Sequence, residues 1–479
     1  MTKVWTPRPA QEGMLAHLAR LQAEPGLALH AGCGVGKTVV TGTHMVSSLF
    51  DRMNTQRWLV VAPKAVAEDT WAREFAKWRH LSFIAPRLLT FEDLGMTRAE
   101  IDGRQAGLEF AARKDTKSRL RALTSPIHVC SYEAFPWVVK ATGVNFPYDG
   151  LVLDESVFVK STDSLRFKAA KHVVRKLGLV KETIELTGLP IPRGYEDLRG
   201  QFILLDGGQR LGDTKTEFRE RWQEPAVVGR QGQVFQWKVR ADRLEAIQAA
   251  IGELATSFTH ETGIAVYESL QYVSLPPKAR KVYDDMEAKL LAEVDGTDVL
   301  SANAAVKQSK LLQIANGHVF DNDRKSHVIH TAKVDAVVQA IEAATGPVLL
   351  AYAYQPDLAL LRQALGKKAR VAGEAGAVNE FRSGKLPVLL FHPETVAYGV
   401  DGFQDVCDTL FWFGAVHRYD WYHQAMMRLD RSGQRKDSVY VRIFVADNTI
   451  EEDVYNNVLV PRGQMNDGLL QAIKDRRKR

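Results

Sequence analysis

Leu27-Ala28-Leu29-His30-Ala31-Gly32-Cys33-Gly34-Val35-Gly36-Lys37-Thr38-Val39-Val40-Thr41 runs from a short apolar segment through a glycine-rich stretch into a segment compatible with a helix. The order strand, loop, helix start is the one in which backbone N–H groups can be turned onto phosphate oxygens. Such a loop needs glycine because part of its backbone must adopt positive φ, and the helix N-terminus that follows adds favourable partial charge. Gly34 and Gly36 meet that need. Lys37 would reach the β- and γ-phosphates of a nucleotide, and the Thr38 hydroxyl would sit on Mg²⁺. The stretch departs from G-x-x-x-x-G-K-[ST] only in carrying Ala31 at the first position.

Further along, Leu151-Val152-Leu153-Asp154-Glu155 sets two carboxylates at the C-terminal end of another apolar run. In an open parallel sheet that edge is where ligands bind. Asp154 is the residue type to hold Mg²⁺, and Glu155 the type to orient or deprotonate a water attacking a γ-phosphate. With Lys37 and Thr38 they form a candidate hydrolysis site. An Asp-Glu pair after a strand also occurs as a solvated turn or a helix cap, so the pair draws its meaning from the phosphate loop before it.

Around these two segments, short apolar runs recur between longer amphipathic and charged stretches: Trp58 to Ala62, Leu151 to Leu153, Val348 to Tyr352, Val388 to Phe391, Thr409 to Phe413 and Val439 to Val445. Most lack strand-type alternation, which marks buried strands of parallel sheets. They fall into two groups, separated by a charged stretch with helical spacing from Ala241 to Leu291. The expected fold is α/β, with two RecA-like parallel-sheet domains in tandem and a helical connector. The expected divisions are 1–235 as the first lobe, 236–325 as helical connector and start of the second lobe, and 326–479 as the second lobe, the last ending in the basic tail Lys474-Asp475-Arg476-Arg477-Lys478-Arg479.

The whole-chain numbers agree with that reading. A chain of 479 residues exceeds what one core usually organises, and 45% apolar with 25% charged residues excludes global disorder. A net charge of +6 permits a polyanionic partner without requiring one. Cys33, Cys130 and Cys407 are too few and too scattered for a disulfide framework or a zinc cluster, which implies a reducing cytosol. No stretch approaches the roughly 20 apolar residues of a membrane span, and the N-terminus has no apolar signal core. A cytoplasmic protein without a membrane partner is expected.

Taken in order, these residues resemble a superfamily 2 helicase-type ATPase of the Swi/Snf-related group, especially its short phage and prophage members. Ala31 to Thr38 looks like motif I in its helicase form, which begins with Ala. Gln11, in Arg8-Pro9-Ala10-Gln11, resembles the glutamine that reads adenine, and Val61-Ala62-Pro63-Lys64 with Trp71 and Phe75 resembles motif Ia. Cys130-Ser131-Tyr132-Glu133 is similar to a strand-end segment near the nucleic-acid track, Asp154-Glu155-Ser156 to motif II, and Leu186-Thr187-Gly188-Leu189-Pro190 to motif III. Leu275-Pro276-Pro277-Lys278 before Tyr283, and Lys310 to Gly317, resemble the Swi/Snf connector. Gln424 to Gln434 is similar to motif VI, where a helix would place Arg428 and Arg431 on one face.

Two departures stand out. Val157 replaces the His of many relatives, and Ala397-Tyr398-Gly399-Val400-Asp401-Gly402-Phe403-Gln404 is one residue longer than the usual motif V. Gly399 and Gln404 carry over more safely than Asp401.

The resemblance implies ATP and Mg²⁺ as ligands and DNA, preferably duplex, as partner, with RNA as the alternative. It makes Glu155, Arg428 and Arg431 catalytic, gives Thr187 and Gly188 a coupling role, and puts Lys64, Tyr132 and Lys160 on the nucleic-acid track. ATP would complete its site when the two lobes close, turning hydrolysis into translocation. A strand-separating helicase is the nearest alternative; a P-loop kinase leaves Arg428 and Arg431 unexplained, and a non-catalytic scaffold leaves the hydrolytic side chains unexplained. The Arg- and Lys-rich insert from Arg98 to Arg121 reads as a solvated helical face, and Trp412 and Phe413 as core rather than base-stacking surface.

Overall fold

The protein is described here as a computed structural model that covers all residues except 1, 33, 96–119, 121–124, 229–233, 259–262, 295–299, 322, 324, 397–401, 432 and 477–479. Cys33, Gly399, Asp401 and the Arg98 to Arg121 insert, apart from Leu120, therefore lie outside the described residues. Two compact units are present: Met1–His260 together with Met465–Arg479, and Glu261–Gln464.

The first unit is built on β1 (Gly26–Ala31), β2 (Trp58–Ala62), β3 (Arg87–Leu88), β4 (Ile127–Ser131), β5 (Gly150–Asp154) and β6 (Glu182–Thr187), and on β9 (Ala255–Phe258) beyond a small hairpin of β7 (Gln223–Val228) and β8 (Val234–Val239). Its seven strands lie in the order β3-β4-β2-β5-β6-β1-β9, with parallel pairing throughout. Every residue of β1, β2 and β5 is buried, as a sheet covered by helices on both faces requires. The helices Pro9–Leu18 and Lys37–Val46 supply part of that cover, contributing Met14, Leu18, Val39, Val40 and Met45 to one apolar cluster with Leu27, Leu29 and Val60.

β6 is one of the strands that apolar runs do not reveal. Glu182-Thr183-Ile184-Glu185-Leu186-Thr187 alternates polar with apolar residues, a pattern that normally means one solvated face, yet all six positions are buried. Glu182 accepts hydrogen bonds from His44 Nε2 (2.8 Å) and Ser48 Oγ (2.9 Å). At Glu182, buried partners replace water.

The second unit holds a six-stranded sheet in the order β10-β17-β16-β13-β15-β14, again all parallel. These strands are β10 (Ala265–Val273), β13 (Val348–Ala351), β14 (Ala369–Val371), β15 (Val388–Phe391), β16 (Thr409–Trp412) and β17 (Ser438–Ala446), with a separate hairpin of β11 (His318–Phe320) and β12 (Ser326–Val328). Trp412 and Phe413 are buried, in keeping with a core role. A charged network is also buried here: Lys333 Nζ donates to Glu451 Oε2 (2.5 Å) and to Asn316 Oδ1 (2.8 Å), and Asn316 Nδ2 donates to Asp357 (3.2 Å).

Three sequence expectations change. The stretch 236–325, expected as helical connector and start of the second lobe, contains β10, which edges the second sheet, but also β9, which completes the first. β9 has only four residues, and β10 is exposed along most of its length, so neither forms an apolar run. The C-terminal residues Met465–Arg479 belong to the first unit, where Leu469 and Ile473 enter the core. Within the basic tail, Arg476 donates to Ala249 O (2.8 Å) rather than standing in solvent alone. Among the described residues, no helix is long and apolar enough to cross a membrane.

Packing at the base of β5 supplies a test of the first sheet. A Cβ on Gly150 would stand 2.4 Å from Trp58 Cδ2, and Trp58 is fully buried. Overpacking of this kind costs about 1–3 kcal/mol. Gly150→Ala is expected to lower the stability of the first unit by that amount in chemical denaturation, whereas Gly178→Ala, with open space around its Cβ, carries only its backbone penalty.

Candidate active site

Parallel register gathers the site. β5, β6 and β1 are neighbours, His30 pairs with Thr187, and Asp154 pairs with Leu186. The C-terminal ends of three strands thus deliver the glycine loop, the acidic pair and Thr187-Gly188 to one sheet edge, where α/β folds bind ligands.

The loop is shaped by close packing. Gly34 and Gly36 have φ of 76° and 99°, the left-handed region that favours glycine. At Gly36 a Cβ would stand 2.3 Å from Gln11 Nε2. Gln11 is itself buried, donating to Val35 O (3.1 Å) and accepting from Arg8 N (3.0 Å), so the expected adenine reader is braced against the phosphate loop. Lys37 starts the helix Lys37–Val46, and its Nζ donates to Ala31 O (2.5 Å) and Gly32 O (3.2 Å). The ammonium therefore already spans the loop that a phosphate would fill. Thr38 follows in the first turn of the same helix. On the other side, a Cβ on Gly188 would lie 3.2 Å from Ala31 O, so the β6 end packs directly onto the loop.

Asp154 ends β5 in a buried position, its Oδ2 accepting from Trp71 Nε1 (3.0 Å). Burial, reinforced by the neighbouring Glu155, pushes its carboxyl up to about 6, with Lys37 and the Trp71 bond acting in the opposite sense. Glu155 adopts φ 58°, a left-handed conformation that costs a non-glycine residue on the order of 1 kcal/mol. Its Oε2 accepts from Thr187 Oγ1 (3.2 Å), and Thr187 Oγ1 accepts from Leu189 N (3.1 Å). The carboxylate of one strand end is thereby tied to the hydroxyl of the next.

Sequence reasoning missed the residue that stabilises this junction. Gln201, in the helix Asp197–Asp206, accepts from Ser156 Oγ (2.8 Å) and donates to Pro190 O (3.1 Å), joining the segment after Glu155 to the segment after Thr187. No spacing rule marks it; it lies in a run whose every residue is buried. Gly200 beside it lets that helix approach Val159 O and Lys160 O, each 2.6 Å from where a Cβ would be.

The expected track residues divide. Lys64 is 75% exposed just past β2, with Glu68 3.8 Å away. Lys160 is half-buried after the turn Ser156–Val159. Tyr132 is fully buried: its ring stacks on Phe158 at 4.9 Å and its hydroxyl donates to Glu155 O (3.3 Å). It presents no surface to a nucleic acid strand and instead holds the backbone of Glu155.

In the second unit, Gln404 and the segment after Arg431 come together, with Arg435 N donating to Gln404 O (3.5 Å) and Gln434 Nε2 donating to Leu429 O (3.2 Å). The expectation that a helix carries Arg428 and Arg431 does not hold. The helix Tyr419–Met426 ends before them, and both lie in the turns that follow, Arg428 N donating to Ala425 O (3.1 Å) and Arg431 N to Leu429 O (3.0 Å). Arg428 is buried and Arg431 half-buried.

With a hydroxyl at Thr38 and a carboxylate at Asp154, the donors are hard oxygens. Among the described residues no group of three or more His, Cys, Asp or Glu side chains could hold a metal ion. Such a sparse oxygen set fits an ion that keeps most of its waters and takes phosphate oxygens, as Mg²⁺ does.

Over 489 aligned residues the chain is 30% identical to protein p41 of Acyrthosiphon pisum secondary endosymbiont phage 1, covering 98% of this chain and 99% of that protein. The chain belongs to the family of that phage protein. No family model matches the sequence. Among solved structures it is similar to the Sulfolobus solfataricus SWI2/SNF2 ATPase core in complex with dsDNA, with 18% identity, TM-score 0.41 and coverage of 98% of this chain and 94% of that one. It is also similar to the Sulfolobus solfataricus SWI2/SNF2 ATPase core domain, with 15% identity, TM-score 0.40 and coverage of 98% and 91%. At those scores the functional reading has to come from this family member's own side chains.

One buried side chain near the site carries a pH signature. Glu185 pairs across the sheet with Leu153 on β5 and Ala28 on β1 and is fully buried. Burial holds its carboxyl proton to well above the usual carboxylate range. Between the unfolded value near 4.5 and that raised value the folded chain binds one more proton than the unfolded chain, so this contribution to stability is present in acid and is lost as pH rises. Glu185→Gln is expected to melt higher than the parent at pH 8 and close to it at pH 4; thermal denaturation across that range would show it.

Proposed function

We propose that the chain is a nucleic-acid-stimulated ATP hydrolase that translocates on double-stranded DNA and remodels DNA or protein–DNA complexes. The observation that carries the proposal is the Glu155 to Thr187 hydrogen bond beside the Gly34 to Lys37 loop, which links the candidate water-orienting carboxylate to the neighbouring strand end. A P-loop kinase has no need of that link.

ATP is the substrate in this reading. Loop N–H groups and Lys37 bind its phosphates, and Gln11, anchored on Val35, recognises the base. Thr38 and Asp154 would hold Mg²⁺, which supplies neutralisation of the phosphate charge. Glu155 orients the attacking water, its position fixed by Thr187 at the carboxylate and by Tyr132 and Phe158 N at its carbonyl oxygen. Arg428 and Arg431 would stabilise charge on the transferred phosphoryl oxygens through planar guanidinium donors, and Gly399 and Gln404 belong with them in nucleotide contact. Lys64 and Lys160 would bind the phosphodiester backbone, and Thr187 with Gly188 would transmit the hydrolytic step to it.

The deciding experiment is ATP turnover across single-stranded DNA, duplex DNA and RNA, with triplex displacement and strand separation measured alongside. Stimulation by duplex with triplex displacement is expected. Robust unwinding without duplex stimulation would replace translocation by helicase activity, and turnover indifferent to every nucleic acid would sink the proposal. Glu155→Gln should abolish turnover, by about 10²-fold or more, while retaining ATP binding.

A finer test concerns the link itself. A hydrogen bond to a charged group is worth about 1.5–3 kcal/mol. Thr187→Val is therefore expected to lower kcat about ten-fold or more with little change in KM for ATP. An equal loss in Thr183→Val, buried on the same strand away from Glu155, would show that packing and not the link is responsible.

A further inference from the structure

Outside the hydrolysis site, the first unit carries a cleft of about 860 Å³ lined by Lys160, Arg193, Arg199, Lys215, Arg219 and Lys238. Three carboxylates, Asp163, Glu196 and Asp197, share that wall with the six cations. Two of the three are paired within the wall: Glu196 faces both Lys215 (3.1 Å) and Arg219 (3.7 Å), and Asp197 binds Arg193 (2.5 Å). The cleft is left with a surplus of positive charge. Thr162 and Arg199 also line a second cleft, of about 590 Å³, whose wall includes Lys168, Lys171 and Lys176 with Asp213 as its carboxylate. The two openings therefore adjoin at Thr162 and Arg199.

Arg199 stands at their shared wall in an unusual state. It is only 9% exposed, and its guanidinium donates to Thr162 Oγ1 (2.8 Å) and to the Asp213 carbonyl (2.9 Å), neither of them a carboxylate, while its Nε has no partner. Glu196, Asp213 and Asp163 act on its charge from a distance, yet its hydrogen bonds go to neutral oxygens, a state that an anionic ligand would favour. On the rim, Arg219 lies 4.7 Å over the ring of Trp237 on the β7–β8 hairpin, an aromatic face braced by a guanidinium.

We infer that this double cleft, from Lys238 and Lys215 across Arg199 to Lys168 and Lys176, is a binding surface for the phosphodiester backbone of a nucleic acid. The chemistry is sequence-independent: dispersed lysines neutralise successive phosphates, arginines offer forked donors, and Trp237 offers a stacking face to an unpaired base. Lys160 lines the cleft and follows Glu155 in the same short segment, so the surface begins one turn from the hydrolysis site. The inference rests on the proposed function and extends its track from isolated lysines to a defined wall.

The test uses the full chain and a fluorescently labelled 30-base-pair duplex, with anisotropy measured between 50 and 200 mM salt. Each phosphate contact removed lowers the magnitude of the log–log salt slope by about 0.9. Lys168→Glu combined with Lys238→Glu, one residue from each cleft, should weaken binding ten-fold or more at 50 mM salt and reduce the slope by about 1–2. Lys77→Glu combined with Lys181→Glu makes the same change in net charge on exposed residues of the same unit and should leave the slope unchanged. An unaltered slope in the cleft variant, or an equal loss in the control, overturns the inference, provided both melt like the parent. A parent protein that binds no duplex at 50 mM salt would instead defeat the proposed function itself.

Discussion

The arrangement depends on the register of three parallel strands. Because β5, β6 and β1 run side by side in one direction, one sheet edge receives a phosphate-shaped loop, two carboxylates and a hydroxyl without any of them travelling along a long connection. A shift of one residue in β6 would turn Thr187 to the opposite face. Glu155 would lose its partner, and Gly188 would no longer lie under Ala31.

That edge is also where the fold gives up stability. Glu155 is held in a left-handed conformation, Asp154 is a carboxylate removed from water, and Lys37 leans on loop carbonyls. The first two are unfavourable alone and are tolerated because Tyr132, Trp71, Thr187 and Gln201 fix the geometry from behind. Strain concentrated where charge must develop, with well-packed strands carrying it, is the pattern expected of a site organised in advance of its ligand.

Most of this edge was visible in the amino-acid order. Apolar runs located the central strands of both sheets, since a strand buried on both faces has no choice but to be apolar, and the glycine loop and acidic pair followed at their ends. Strands whose burial is polar escaped: β6 hides two glutamates, Glu182 behind buried partners and Glu185 by enclosure, and β10 sits at an edge with little to bury. Spacing misled at Arg428 and Arg431, where a three-residue interval is met by turns as readily as by a helix. Tyr132 looked like a surface residue because its segment resembled one; only packing reveals that its ring lies under Phe158. Gln201 could not have been found at all, because it shares its helix with Asp197, Arg199 and Asp206 and no spacing says which of these polar residues joins two segments.

The membership of Met465–Arg479 in the first unit has an effect on how the protein is made. Leu469 and Ile473 fill the same apolar cluster as Leu18 and Ile251, and Asn466 is wholly enclosed beside them. During synthesis, the amino-terminal unit must therefore wait, with a gap in its interior, while all of the second unit emerges from the ribosome. Nascent chains would pass through a stage in which the later-made unit is complete and the earlier-made one is not, reversing the usual order of maturation.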